Sequence, residues 1–193
     1  MFLFFDVETN GLPKVRSGNF EDIDNWPRIV QISWAIFNEN GNRIYFKDYI
    51  IRAIDFKISN NSRKIHGISQ EKSLNEGVGI GQVLEEINLD LIRISTIVCH
   101  NIDFDLPTLN AEFLRNKIQT DILSKERFCT MKSPKIVSFC QKPNPFGNGY
   151  KWPSLSELHL KLFDTLFEDS HNAKSDVDTC AKCYFELKRR EII

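Results

Sequence analysis

The chain has 193 residues, 41% of them hydrophobic and 26% charged, a length and balance that fit one domain spanning 1–193 with a sizeable core and exclude a disordered polymer. No uninterrupted apolar run approaches the ~20 residues a membrane-spanning helix needs. The apolar start Met1–Phe5 lacks a basic region and meets Asp6 at once, so it reads as a strand and not a signal peptide. A net charge of −1 argues against a protein that grips its partner by bulk electrostatics alone.

Phe2–Val7 reads as a buried first strand. A polar loop, Gly11–Arg28, carries two prolines and leads to two further strands, Ile29–Phe37 and Arg43–Ile51, joined at the turn Asn40–Gly41. From about Ile80 to Ile92 the apolar residues Val83, Leu84, Ile87 and Leu91 recur at helical spacing. A short strand, Thr96–Cys99, and a helix, Phe104–Asn116, follow. The next helix is expected near Thr130, ahead of a Pro-, Gly- and Asn-rich loop, Gln141–Pro153. Ser154-Leu-Ser-Glu157 is a capping-box pattern that opens a helix ending near Phe163. The last helix is expected over Ser175–Arg189, with Val177, Ala181, Tyr184 and Leu187 on one stripe. Three strands, a helix, a strand and then helices imply an α/β sandwich with a mixed sheet.

The five cysteines show no paired framework, which favours a reducing, cytoplasmic setting. Cys180 and Cys183 form a CxxC without the second half of a zinc site, and their place in a helical pattern marks them as buried helix residues. Charge is uneven along the chain. From Arg127 to Pro153 there are five basic residues (Arg127, Lys132, Lys135, Lys142, Lys151) and no acidic one, with Phe128, Phe139, Phe146, Tyr150 and Trp152 interleaved. Cations for phosphates and rings for bases suit a single-stranded polymer; a solvated connection over a small core is the alternative.

Three short segments carry candidate chemistry. In Asp6-Val7-Glu8, strand geometry puts both carboxylates on one face and turns Val7 into the core. Two acids on one face call for a cation unless they are solvated at a strand end, and an all-oxygen set suits Mg²⁺ or Mn²⁺. In His100-Asn101-Ile102-Asp103-Phe104-Asp105, a carboxylate falls at a strand-to-helix junction, at the sheet's carboxyl edge where ligands bind in α/β folds. Asp103 and Asp105 compete for that role, and Asp103 is also suited to capping the helix. In His171-Asn172-Ala173-Lys174-Ser175-Asp176, an imidazole precedes a carboxylate in the first turn of the last helix, where the helix N-terminus favours the ionised acid.

Taken in order, these segments resemble the motifs of the DEDDh, or DnaQ-like, 3′–5′ exonucleases, a family that includes the proofreading epsilon subunit of bacterial DNA polymerase. Phe5–Leu12 is similar to the first motif, His100–Asp105 to the second and His171–Asp176 to the third, of the histidine type, since Asn172 stands where a tyrosine type would differ. Pro27–Ile32 and Ile65–Ile68 resemble the linking strand and turn, so the resemblance spans almost the whole chain.

The resemblance implies a ribonuclease H-like fold, a mixed central sheet flanked by helices. It makes Asp6, Glu8, Asp105 and Asp176 the metal carboxylates and His171 the general base, which resolves the tie in favour of Asp105. It brings Thr9 to the terminal 3′-hydroxyl, sets Leu12 and Ile65 as wedges against the last bases, and has Phe104 support the terminal nucleotide. His66 lines the pocket or simply packs. The implied chemistry is two-metal phosphodiester hydrolysis, with two Mg²⁺ or Mn²⁺ ions about 4 Å apart, His171 accepting the attacking water's proton, and nucleoside 5′-monophosphates as products. The expected substrate is a single-stranded or frayed 3′ end of DNA, with RNA, as for ribonuclease T or oligoribonuclease, the rival. A non-catalytic nucleic-acid-binding protein on this fold is a further alternative. A chain stopping at Ile193 offers no tail for a polymerase and favours a free-standing nuclease. Docking to a polymerase and pairing into a homodimer are both left open by the sequence.

Overall fold

The apolar start of the chain becomes the central strand, covered on both faces. β1 (Phe2–Thr9) sits in the middle of a five-stranded sheet of order β3-β2-β1-β4-β5. It pairs antiparallel with β2 (Ile29–Phe37), which pairs antiparallel with β3 (Arg43–Ile50). On its other side β1 runs parallel to β4 (Thr96–Cys99), and β4 runs parallel to β5 (Glu126–Cys129). The sheet is therefore mixed, as the sequence leads one to expect. The computed structural model describes residues 1–166 and 172–193.

The period-2 alternation of β1 divides the core. Leu3, Phe5 and Val7 face one layer, with α3 (Ile80–Leu91) and α4 (Ile102–Arg115), through Val83, Leu84, Ile87, Leu106 and Phe113. Phe2 and Phe4 face the other layer, with α5 (Pro134–Cys140), α6 (Leu155–Phe163) and α7 (Ala173–Arg189), through Ile136, Leu158, Val177, Tyr184 and Leu187. Cys180 and Cys183 are buried on α7, as residues of a helix rather than ligands. No described helix is long and apolar enough to cross a membrane.

Two short helices, α1 (Asn60–His66) and α2 (Gln70–Glu76), escape the sequence reading because each is only two turns long. Their caps are legible in retrospect. The Ser59 and Ser69 side chains accept hydrogen bonds from the Ser62 and Lys72 amides, and Gly67 ends α1 at φ +75°. β5 (Glu126–Cys129) also escapes it, at the start of the basic, aromatic stretch. The helix expected near Thr130 starts at Pro134, with proline in its first turn. Thr130 is instead buried, and its amide bonds the Cys99 carbonyl at the end of the β4–β5 ladder. The capping box at Ser154 and Glu157 forms as expected.

Candidate active site

β1 runs two residues beyond its expected end, so that Glu8 lies on the same strand as Asp6. Asp6 and Glu8 share the face that Phe2 and Phe4 use lower down, so they point toward the layer that holds α7. There the Asn172 side chain caps α7 by accepting the Lys174 amide at 3.1 Å, which sets Asp176 in the first turn. One carboxylate oxygen from each of Asp6, Glu8 and Asp176 lies within 4.8 Å of the other two. Val7 is buried in the opposite layer.

Asp105 comes from the other side of the sheet. β4 is shorter than β1 and ends at Cys99, after which Asn101, in the left-handed region at φ 96°, turns the chain into α4. Asn tolerates that conformation better than most residues. The turn carries Asp105 to the edge of β1, where the Val7 backbone donates a hydrogen bond to it. Asp105 is 3% exposed. Asp103, its rival, faces outward and pairs with Lys132 at 2.6 Å; it neither caps α4 nor lines the carboxylate cavity.

The electrostatics are those of a site that lacks positive charge. Burial, then repulsion from Asp176, pushes Asp6 up to about 8. Burial, then Asp6 and Asp176, pushes Glu8 up to about 9. Burial and Asp6 also raise Asp105 far above the usual carboxylate range, against the pull of the Val7 amide. Among the described residues neither Asp6 nor Glu8 has a Lys or Arg ion pair. A convergent, all-oxygen, half-buried donor set with this repulsion fits one or more hard divalent cations. His100 lines the same cavity of about 440 Å³ with the four acids, yet it is not one of the acid–base groups. Its Nε2 lies 3.2 Å from the Pro153 carbonyl, its Nδ1 2.9 Å from the Thr130 hydroxyl, and burial lowers its pKa to about 4. The carbonyl can only accept, so Nε2 donates to it, and the two contacts hold the ring against the cavity wall. His171 lies outside the described residues.

The expected nucleotide-contacting residues also converge. Thr9, Leu12, Ile65, His66 and Phe104 line a second cavity of about 420 Å³ that shares Val7, Glu8 and Phe104 with the first. Leu12 is 77% and Ile65 58% exposed, an unfavourable placement for two aliphatic side chains that line one hollow. His66 is half-buried, its Nδ1 accepting the Ile68 amide at 3.1 Å. Burial lowers its pKa, and among the described residues its buried Nε2 has no hydrogen-bond partner. It both packs and lines the cavity. The basic and aromatic stretch 127–153 does not form one groove. Phe128 and Phe139 pack into the core, and Lys151 pairs with Glu157. Lys132 and Trp152 alone of that set line a hollow beside the carboxylates. A larger hollow, about 1000 Å³, lies away from the acids between the β2–β3 hairpin and the last turns of α7.

Residues 3–184 match the exonuclease family model of the ribonuclease T type. The chain belongs to this family. The family is that of the DnaQ-like 3′–5′ exonucleases, which are hydrolytic nucleases. Two PolC-type DNA polymerases III, from Mycoplasma genitalium and Pediococcus pentosaceus, are 27% and 25% identical to the chain over 193 and 194 residues. Each similarity covers 98% of this chain but only 11% and 12% of the polymerase. The fold is that of E. coli exonuclease I, whose complex with a dT13 oligonucleotide superposes with a TM-score of 0.77 at 19% identity, over 98% of this exonuclease and 41% of that chain. Exonuclease I from Methylocaldum szegediense superposes at 0.74 with 15% identity, over 98% and 40%.

Proposed function

We propose that this exonuclease removes nucleotides from the 3′ end of single-stranded DNA, with Asp6, Glu8, Asp105 and Asp176 holding two Mg²⁺ or Mn²⁺ ions and His171 as general base. The observation that carries the reading is the meeting of Asp6, Glu8 and Asp176 within 4.8 Å, with Asp105 buried against the same strand edge. Acids packed this closely repel phosphate unless cations intervene, so the arrangement suits catalysis and not simple binding. Divalent ions held there supply Lewis-acid chemistry, acidifying the attacking water and stabilising charge on the leaving 3′-oxygen.

The chain's own groups do the rest. Thr9 offers its backbone, and Leu12, Ile65 and Phe104 offer apolar surface, to the terminal nucleoside in the adjoining cavity. His171, five residues before Asp176, takes the proton of the attacking water, a role suited to a group titrating near neutrality. Preference for DNA over RNA is supported by the DNA oligonucleotide held by the exonuclease I neighbour and by the DNA polymerase relatives. Those relatives also favour a proofreading setting, which faster excision of a mispaired than of a paired 3′ terminus would support.

The deciding experiment is product analysis on 5′-labelled DNA and RNA oligomers, single- and double-stranded, with Mg²⁺, Mn²⁺ or EDTA. Stepwise shortening from the 3′ end, release of 5′-monophosphates and abolition by EDTA are expected. Faster turnover of RNA would reassign the substrate to the exoribonuclease class, and inertness toward every 3′ end with manganese present would end the proposal.

A further inference from the structure

The hollow beside the carboxylates has a composition that the terminal-nucleotide pocket does not explain. It encloses about 330 Å³ and is lined by Leu12, Arg16, Trp26, Asn101, Asp103, Phe104, Lys132 and Trp152, among others. Phe104 lines this hollow, the carboxylate cavity and the terminal-nucleotide cavity alike. Leu12 stands between the hollow and the terminal-nucleotide cavity, lining both. Three depressions thus meet around one ring, with the acids at one of them.

Within it, Trp152 is 57% exposed, whereas Trp26 and Trp34 are 4% and 0% exposed. Lys132 Nζ sits 4.6 Å from the centroid of the Trp152 ring and 2.6 Å from Asp103 Oδ2, and Arg16 is exposed at the rim. An indole face for a base and cations for a phosphate are what a single strand needs at each step.

We propose that this hollow is the subsite for the nucleotide that precedes the scissile phosphate. Its base stacks on Trp152 and its phosphate draws Lys132 away from Asp103, which holds the ammonium in place when no strand is bound. Leu12 and Phe104 divide this base from the terminal one. The assignment rests on the exonuclease reading, because that reading places the cleaved bond at the acids and leaves this hollow as the path by which the strand departs.

The test compares two substrates. Thymidine 5′-monophosphate p-nitrophenyl ester carries one nucleoside and has nothing to place in the hollow; a dT8 oligomer fills it. In Trp152→Ala the ratio of kcat/KM on dT8 to kcat/KM on the ester should fall about ten-fold, carried by KM, with Trp152→Phe recovering most of it. Asp103→Asn should raise the ratio and Lys132→Ala lower it. An unchanged ratio in Trp152→Ala, including equal loss on both substrates, overturns the subsite.

Binding of 5′-labelled dT8 in Ca²⁺, followed by fluorescence anisotropy, separates this from failure of the exonuclease reading. If the unaltered protein cleaves neither substrate yet binds dT8, the exonuclease reading fails and the place relative to a scissile phosphate falls with it; equal affinity of Trp152→Ala then also overturns the hollow as a nucleotide site, while weaker affinity upholds it as one. If the unaltered protein does not bind dT8 at all, both fall.

Discussion

Asp6 and Glu8 illustrate how a residue useful in function can oppose folding. In the absence of cations their carboxyls sit at about 8 and 9, against ordinary values near 4, so the folded state holds protons that the unfolded chain has released. Stability contributed by a raised group is complete below its unfolded value and is lost as pH rises through the folded one. His100, lowered to about 4, works in the opposite sense, costing stability as pH falls below about 6.5. Between about pH 6.5 and 9 only the carboxylates act, so the metal-free protein's melting temperature should decline across that window. Mg²⁺ or Mn²⁺ should restore it, more strongly at the upper end, as a scanning-calorimetry series with and without EDTA would show.

Asp176→Asn removes one of the three converging charges. It should raise the metal-free melting temperature by a few degrees, corresponding to ~1 kcal/mol or more, and abolish most of the metal-induced shift. Nuclease activity should drop at least ~10²-fold, by analogy with loss of a strong electrostatic contribution in the transition state. His171→Ala tests the base separately. Turnover should fall about 10²- to 10⁴-fold while titration calorimetry still records Mn²⁺ binding; near-normal hydrolysis would remove His171 from the mechanism.

At the scale of elements, the site depends on where β1, α4 and the loop between β1 and β2 are held relative to one another. Glu112 on α4, 1% exposed, accepts hydrogen bonds from Arg28 Nε at 2.8 Å, Arg115 at 3.0 Å and the Ile29 amide at 3.3 Å. Arg28 in turn reaches Asp55 at 2.7 Å. This network fastens the helix that bears Phe104 and Asp105 to the start of β2. Glu112→Ala leaves the partly buried Arg115 without its acid and Arg28 with Asp55 alone, and should cost about 3 kcal/mol in urea denaturation; a loss under 1 kcal/mol would show the network to be ornamental. Ser154→Ala removes the cap of α6 next to Trp152 and should cost about 1 kcal/mol. The capping box was legible because Ser-x-x-Glu is a local pattern. α1 and α2 were not, because two turns hold too few apolar positions to show a period. β5 was hidden for another reason: its four residues, two of them exposed, form neither an apolar run like β4 nor a pair joined by a turn signal like β2 and β3.

Across the whole molecule, order along the chain was the strongest signal. Asp-x-Glu at the end of an apolar strand, an acid after a short strand, and an acid opening the last helix together pointed to one family, although each alone is common. The parallel pairing of β1 with β4 brings the first two to the same sheet edge, and α7 crossing β1 brings the third. What the amino-acid sequence settled unaided was the class of fold and the main strands and helices, and it named the candidate acids, because period, capping and motif order are local or linear properties. What the tertiary structure alone decided was that Asp6, Glu8 and Asp176 meet within 4.8 Å, that Asp103 turns away to Lys132, and that His100 is held between Thr130 and Pro153. It also decided that of the basic, aromatic stretch only Lys132 and Trp152 stand at the site. Those outcomes depend on which side chains lose their water together, and that is set by packing between segments far apart in the chain.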